Sequence, residues 1–422
     1  MTQYKNSLEF AKEQDAKDPL AKFRDEFYFP QNNQNQNQIY LCGNSLGLQP
    51  KRTQEYINQE LKDWAKYGVE GHTLAKNPWV PYHEILTNKM AKIVGAKPKE
   101  VVMMNTLTVN LHLMMVSFYR PTDRKFKILI EKDAFPSDRY AIESQLRFHG
   151  ISPEEGLLLW EPPEGEELCR FEDLQKIIEE QGNRIALMMI GSTNYYTGQS
   201  FPLKKIVQLG HQHEINVGFD LAHGAGNIQP NLHKTGADFA VWCSYKYLNS
   251  GPGSVGGCFV HERHENDLKL PRFAGWWGHD KESRFNMRQD FDPIPGAEGW
   301  QLSNPPILSL AAINASLSLF EEAGFDKLIQ KSKNLTGYLE FLIKDLQDNR
   351  IQIITPSNFD ERGCQLSLKL TGVSKSLFDN LIKDGVITDW REPNVIRIAP
   401  APLYNNYEDV FKMVQSLKKH LG

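Results

Sequence analysis

The sequence predicts an α/β fold built on a largely parallel sheet and followed by a smaller α+β domain, on three observations. Between about residue 100 and residue 260, short β-rich apolar runs alternate with amphipathic helical patterns, and such alternation implies βαβ units. Within that stretch two strand-like runs end in chemically capable residues, INVGFD in Asp220 and DFAVWCSYK in Lys246. After the proline pair of SNPPILSL the pattern changes to a long helical run and then a β-α-β-α tail.

The opening segment, MTQYKNSLEFAKEQDAKDPL, interleaves charges with apolar residues at helical spacing and lacks the continuous apolar stretch of a signal peptide. QNNQNQNQ, at residues 31–38, is the one low-complexity run. It reads as a surface loop, because such polar tracts bury too little surface to stay ordered alone. In the alternating region KILIE, LLLW and RIALMMIG read as strands, with SDRYAIESQLRFHG and FEDLQKIIEEQG as the helices between them. INVGFD, DFAVWCSYK and GGCFVHE continue the series. Open α/β sheets bind ligands at the carboxyl ends of their strands, so Asp220 and Lys246 are expected at one edge although 26 residues separate them. The helical pattern after SNPP runs to about residue 346, followed by CQLSLKL, SLFDNLIKDG, VIRIAP and a closing helix. No repeat at a solenoid period is evident. The expected division is an N-terminal helix and arm packing with the small domain (1–50), a large domain (51–305) and a small C-terminal domain (306–422).

With 422 residues, 40% of them hydrophobic and 24% charged, the chain can bury a large core in more than one domain. A net charge of -4 gives no basic face for nucleic acid and no polybasic membrane anchor. No run is long enough to span a bilayer. Small-molecule chemistry is the class that remains. The five cysteines (Cys42, Cys169, Cys243, Cys258, Cys364) are odd in number, scattered and without a CxxC pair. That argues against a disulfide framework or structural zinc and fits a reducing cytoplasm, where the sequons at Asn314 and Asn334 carry no glycan.

GFDLAHGAGN, residues 218–227, sets a carboxylate at a strand end and an imidazole three residues later, among glycines that let backbone approach a ligand. An anionic Asp opposite the ring nitrogen is what pyridoxal phosphate needs to stay protonated and accept electrons from a carbanion. A helix-capping Asp beside a buried, satisfied His suits the same ten residues. In SYKYLNSGPGSVGG, Lys246 lies between Tyr245 and Tyr247 ahead of a glycine-rich turn. A carbonyl-binding lysine must be partly desolvated, and aromatic neighbours exclude water. A surface lysine in a strand-to-loop connection is the alternative; the combination with Asp220 favours the cofactor reading. Gly251, Gly253 and Gly256 spell GxGxxG, but a strand-like run follows instead of a helix, which rejects a dinucleotide fingerprint.

Phosphate donors are available upstream. In MNTLTVNLHLMM, Thr106 or Thr108 opens an apolar helical run, and in FPSDRYAIES, Ser137 and Asp138 lead another. Free N–H groups at a helix start can cradle an anion, although each segment also suits an ordinary cap. His211, His213, His261 and His264 lack the spacing of a metal site, and no metal is expected. Trp276 and Trp277 of GWWGHD read as core packing. Arg397, in REPNVIRIAP, can clamp a carboxylate or pair with an acidic neighbour.

As a set these segments resemble the kynureninase family, among the aspartate aminotransferase-like, fold type I pyridoxal phosphate enzymes. The resemblance spans about residues 40 to 405: YLCGNSLGLQPK, EGHTLAKNPW, NTLTVNLH, FPSDRYAIESQ, NYYTGQ, GFDLAHGAGN, WCSYKYLNSGPG, GWWGHD, QLSNPPI, RGCQLSL and IRIAPAPLYN. It implies a large domain with a mainly parallel seven-stranded sheet, pyridoxal 5'-phosphate as cofactor, an amino-acid substrate and a homodimer. By position, Lys246 would be the Schiff-base lysine, Asp220 the pyridinium partner, His223 a neighbour of the ring, and Tyr245 a phosphate contact that also serves in proton transfer. Leu107, Thr108, Phe135, Pro136, Ser137, Asp138, Trp276 and Asn304 would complete the cofactor pocket. Ser45, His72, Ser303, Asn304 and Arg397 would face the substrate, Arg397 taking its α-carboxylate. Where family members commonly have another binding position, just before NYYTGQ, stand Gly191 and Ser192.

The implied reaction is hydrolysis of L-kynurenine or 3-hydroxy-L-kynurenine to anthranilate or 3-hydroxyanthranilate and L-alanine, by β,γ carbon-carbon cleavage in tryptophan catabolism and pyridine nucleotide biosynthesis. Two rivals share the fold, a cysteine desulfurase and a class V aminotransferase. The desulfurase needs a mobile nucleophilic cysteine near the C-terminal domain, and Cys364 sits at a strand start. A catalytically silent ligand-binding relative is the rival from another class, and the intact Asp220 and Lys246 weigh against it.

Overall fold

Seven strands form the central sheet: β1 (Val101–Met103), β2 (Lys127–Glu131), β3 (Leu157–Trp160), β4 (Ile185–Gly191), β5 (Asn216–Asp220), β6 (Phe239–Trp242) and β7 (Gly257–Val260). Their order is β1-β7-β6-β5-β4-β2-β3 in this computed structural model, which describes residues 4–267 and 269–421. Pairs from β2 to β6 are parallel, and β7 alone opposes its neighbours β6 and β1. A parallel return needs a long crossover. Residues 243–256 instead turn straight back, so β7 comes in antiparallel. Every residue of β1, β6 and β7 is buried, as befits a sheet covered on both faces.

The sheet and its expected strand count agree with the sequence reading, but two element ends differ. The strand expected to close on Lys246 stops at Trp242. Beyond it the Ser244 hydroxyl donates to the Val255 carbonyl at 2.5 Å and the Asn249 N–H to the Lys246 carbonyl at 3.0 Å, so the lysine sits in a turn that hydrogen-bonds to itself. The long run after SNPP is two helices, α3 (Ile307–Ala323) and α4 (Phe325–Asp345), counted after α1 (Leu107–Phe118) and α2 (Pro136–Phe148). Gly324, at φ +81, breaks them, a conformation glycine adopts without strain.

α3 packs against the helices Thr53–Tyr67 and Glu84–Val94, within the main core. α4 and α5 (Tyr407–Leu421) cover a smaller antiparallel sheet of β8 (Ile351–Ile353), β9 (Leu366–Leu370), β10 (Asp389–Arg391) and β11 (Val395–Ile398), in the order β10-β11-β9-β8. The N-terminal helix Leu8–Lys17 lies on α5, and Ile39–Tyr40 pairs in parallel with Val386–Ile387. The glutamine- and asparagine-rich tract is a closed turn: Asn32 Oδ1 accepts the N–H groups of Gln34 and Gln36 at 2.9 and 3.0 Å, so local hydrogen bonds order what burial does not.

Candidate active site

The carboxyl ends of β2, β4 and β5 bring Glu131, Gly191 and Asp220 to one edge of the sheet, where they line a cavity of about 90 Å³. Lys246 reaches the same cavity from the β6–β7 turn, and the starts of α1 and α2 supply Leu107, Thr108, Ser137 and Asp138. This is the edge at which open α/β sheets take ligands.

Asp220 is buried, and its Oδ1 accepts the Ala222 N–H at 2.6 Å. Asp138 is hydrogen-bonded to it, and burial together with the Asp220 charge pushes the Asp138 carboxyl well up. Asp138 therefore keeps a proton and donates it towards Asp220, and no other group among the described residues bonds its buried Oδ1. Glu131 is also buried; it accepts the Gly191 N–H through both oxygens, at 3.2 and 3.1 Å, and burial raises its carboxyl to about 7. Burial and the neighbouring Lys246 hold the His223 imidazole well below its ordinary range. Neutral His223 accepts from Lys246 Nζ across 3.1 Å. The Phe135 and Tyr245 rings flank that amine, their centroids 5.7 and 6.0 Å from Nζ. Burial raises the Tyr245 phenol, which stays protonated.

The lysine turn is held from outside. Gly47 of the N-terminal arm donates its N–H to the Tyr245 carbonyl at 2.8 Å, so close that a Cβ there would lie 2.4 Å from the Lys246 carbonyl oxygen. That approach carries Ser45 to an adjoining cavity, which shares Phe135 and Tyr195 with the first and adds Pro136 and Arg391. Arg397 is fully buried between the Tyr195 carbonyl, to which Nη1 donates at 2.7 Å, and Asp389; its Nε has no partner among the described residues. Of its two sequence readings, pairing with an acidic neighbour is the contact observed.

Lys246, Asp220, Tyr245, His223, Leu107, Thr108, Phe135, Ser137 and Asp138 thus converge. His72, Trp276 and Asn304 line a separate apolar cavity with Val69 and Phe285, and Ser303 is exposed beside it. Of the tryptophan pair only Trp277 is core; Trp276 is 44% exposed. Gly191 lines the site, but Ser192 Oγ turns towards Gly224 and is buried without a partner among the described residues. Glu131, Thr193, Tyr195 and Arg391 were not singled out from sequence. KILIE ending in a carboxylate beside RIALMMIG was a usable signal for Glu131; Tyr195 and Arg391 lie in NYYTGQ and REPNVIRIAP, segments notable as wholes without pointing to these two side chains.

His211 and His264 both bond to buried Asp238, at 3.0 and 2.9 Å, as structural partners. Glu100, His233 and His261 lie close enough to share a metal ion. Glu100 Oε1 is already engaged by the Glu262 N–H and His233, and His261 Nδ1 by the Arg263 N–H.

The donor set fits pyridoxal 5'-phosphate. Asp220 offers a buried anion for a ring cation, Asp138 supports it with a proton, and Lys246 offers an amine. Thr108 Oγ1 and Ser137 Oγ, 3.0 Å apart at two helix starts, offer hydroxyls to a phosphate. No cysteine lines this cavity, and burial raises to about 12 both the Cys364 thiol and that of Cys42, which lines the adjoining cavity, so neither is the ionised nucleophile a desulfurase needs.

Residues 328–417 match the family model described as the kynureninase C-terminal domain. The chain is 55% identical over 417 residues to a kynureninase of Myxococcus xanthus, covering 99% of this chain and 98% of that one. It is 54% identical to a kynureninase of Flavobacterium psychrophilum, with the same coverage. Among solved structures it is similar to the apo cysteine desulfurase of Thermococcus onnurineus, at a TM-score of 0.74 and 16% identity over 100% of this chain and 99% of that one. The cysteine desulfurase CsdA of Escherichia coli superposes at 0.76 with 16% identity over 95% and 98%. At that identity the likeness is one of fold.

Proposed function

The chain belongs to the kynureninase family, and from that premise we propose that it hydrolyses L-kynurenine or its 3-hydroxy derivative to anthranilate or 3-hydroxyanthranilate and L-alanine. The observation that carries the proposal is the buried Asp220 carboxylate facing the same cavity as Lys246 and neutral His223.

Pyridoxal 5'-phosphate, when bound, supplies an electron sink for the bonds broken next to the substrate's amino carbon. Lys246 would hold it covalently, Asp220 would pair with its protonated ring nitrogen, and Thr108, Ser137 and the first N–H groups of α1 would hold its phosphate. His223 Nε2, pinned at 3.1 Å, orients Lys246 Nζ, and that amine moves the proton of the substrate's α-carbon. Tyr245 enters as a protonated phenol and is the hydrogen donor for the γ-carbonyl as water adds to it and the β,γ bond breaks. Phe135 beside the amine excludes water until substrate fills the space. Arg397, held on Asp389 and the Tyr195 carbonyl, would take the substrate carboxylate, and Ser45 lines the adjoining cavity.

The protein acts as a homodimer in this reading. His72, Trp276 and Asn304 are remote from Lys246 within one chain and lie on an apolar surface with Val69 (80% exposed), Phe285 (59%) and Met287 (75%). A second copy covering that surface would present them to its own site. A cytoplasmic location accords with five free cysteines, three of them buried. The division at residues 50 and 305 is supported by two separate sheets, and the arm's pairing with Val386–Ile387 ties it to the smaller one.

The test mixes purified protein, cofactor and L-kynurenine, then 3-hydroxykynurenine, and follows product fluorescence. Absence of both products while the cofactor's visible absorbance is present in wild type and lost in Lys246→Ala overturns the assignment.

A further inference from the structure

Away from Lys246, between the large and small domains, lies a cavity of about 560 Å³. Lys204, Lys205 and Lys234 line it from the large domain, Lys333 and Arg362 from the small one. Asp360 is the one acidic residue of the lining and is paired with Lys333 at 2.8 Å. Among the described residues Lys204, Lys205 and Lys234 make no ion pair. With Lys333 paired to Asp360 and Arg362 to Glu340, the three lysines of the large domain remain as a local positive excess in a chain whose net charge is -4.

Arg362 makes the cavity more than a basic surface. Its side chain is 1% exposed; Nη1 donates to Glu340 at 2.7 Å and to the Pro356 carbonyl at 2.9 Å. Nε and Nη2 have no partner among the described residues although both are buried. Leaving buried donors of a charged group unpaired is costly, and a planar guanidinium edge of this kind matches phosphate oxygens. Phe359 and Ile329 add an apolar wall.

The same strand entry leads to the candidate active site. Next to Arg362, Gly363 packs so tightly on the Asn227 side chain that a Cβ would lie 2.2 Å from Nδ2. Asn227 Oδ1 accepts the Cys364 N–H at 2.8 Å, its Nδ2 donates to the His223 carbonyl at 2.8 Å, and His223 bonds Lys246. We propose that this interdomain cavity binds a small phosphate-bearing polyanion, and that its occupancy is transmitted through Asn227 and His223 to Lys246. The transmission rests on Lys246 being the cofactor lysine; the site itself does not.

The experiment titrates inorganic pyrophosphate into cofactor-saturated protein by calorimetry, so that the cofactor's own phosphate position is filled, while recording visible absorbance. Saturable binding of one pyrophosphate per chain is expected, with a change in the lysine-held cofactor's band. Lys204→Glu with Lys234→Glu, both at exposed positions, should weaken binding by about tenfold or more and abolish the band change, with turnover in the absence of pyrophosphate unaltered. No binding to wild type, or equal binding to the double variant, overturns the site. Binding without a band change overturns the transmission. Binding by a protein that forms no anthranilate would count against the hydrolase reading and leave the site standing.

Discussion

Gly47→Ala tests whether the N-terminal arm fixes the position of Lys246. An added methyl would meet Asn249 Oδ1 at 2.2 Å, the Lys246 carbonyl oxygen at 2.4 Å and Asn249 Cα at 2.8 Å. The first atom can swing away; the other two are backbone. Ordinary contact begins at 3.4 Å, so the arm and the lysine turn must separate by about 1 Å, a displacement that can cost a catalytic centre about 100-fold. Overpacking of this kind also costs about 1–3 kcal/mol of stability. The assay compares kcat and the urea midpoint with those of Gly372→Ala. There φ is +68 and nothing lies within 4 Å, so alanine brings about 1 kcal/mol of backbone strain without touching the site. Both variants should lose stability, and only Gly47→Ala should lose turnover. Wild-type kcat in Gly47→Ala refutes the positioning role.

Asp138→Asn keeps a donor towards Asp220 and should retain turnover within about tenfold, whereas Asp138→Leu, which removes it, should cost about 100-fold; equal losses in the two would show that Asp138 works as an ionised carboxylate. Asp220→Asn, by removing the buried anion, should lower kcat by about 100-fold or more and weaken cofactor retention on gel filtration. Glu131 titrates at about 7 in the folded protein against an ordinary 4.5. The fold binds that proton more tightly than the unfolded chain, so the contribution is complete below pH 4.5 and is lost as pH rises to 7. Urea unfolding of the cofactor-free protein should show Glu131→Gln gaining on wild type by up to about 3 kcal/mol between about pH 5 and pH 8; a constant difference would refute the assignment. Val69→Asp with Met287→Asp should halve the mass measured by light scattering if the apolar surface is a dimer contact.

The sequence made the sheet and half of the site legible for a physical reason: apolar runs that end abruptly in Asp220, or pause before Lys246, report strand ends directly. It placed Lys246 four residues too early in the architecture, because CSY continues the alternation while the Ser244 and Asn249 hydrogen bonds turn the chain. The break at Gly324 was written in EEAGF, yet the amphipathic pattern on both sides masked it. Tyr195 and Arg391 could not be paired in the sequence because they lie far apart along it and meet only in the folded chain. His72 and Asn304 were read through resemblance, and one chain leaves them away from Lys246; no pattern in a single sequence says which copy a residue serves.

Three carboxyls crowd one end of this cavity, and their burial decides what each can do. Glu131 leans on the Gly191 N–H, Asp138 holds a proton towards Asp220, and His223 stays neutral. Burial raises the Asp220 carboxyl as well, but Asp138, the Lys246 charge and the Ala222 N–H oppose that rise, so Asp220 is the member of the pair that carries the charge. A ring cation brought to the end of β5 would meet the Asp220 charge in a medium that screens it poorly, with Asp138 donating towards that charge and Glu131 ionised only in part near pH 7. Were all three ionised, their mutual repulsion would destabilise the fold and hold protons that catalysis must move. Keeping most of the charge on Asp220 would let a strand end anchor a cationic ring strongly, and Lys246, on a turn pinned by Gly47 and bonded to His223, would then be the group left to move protons.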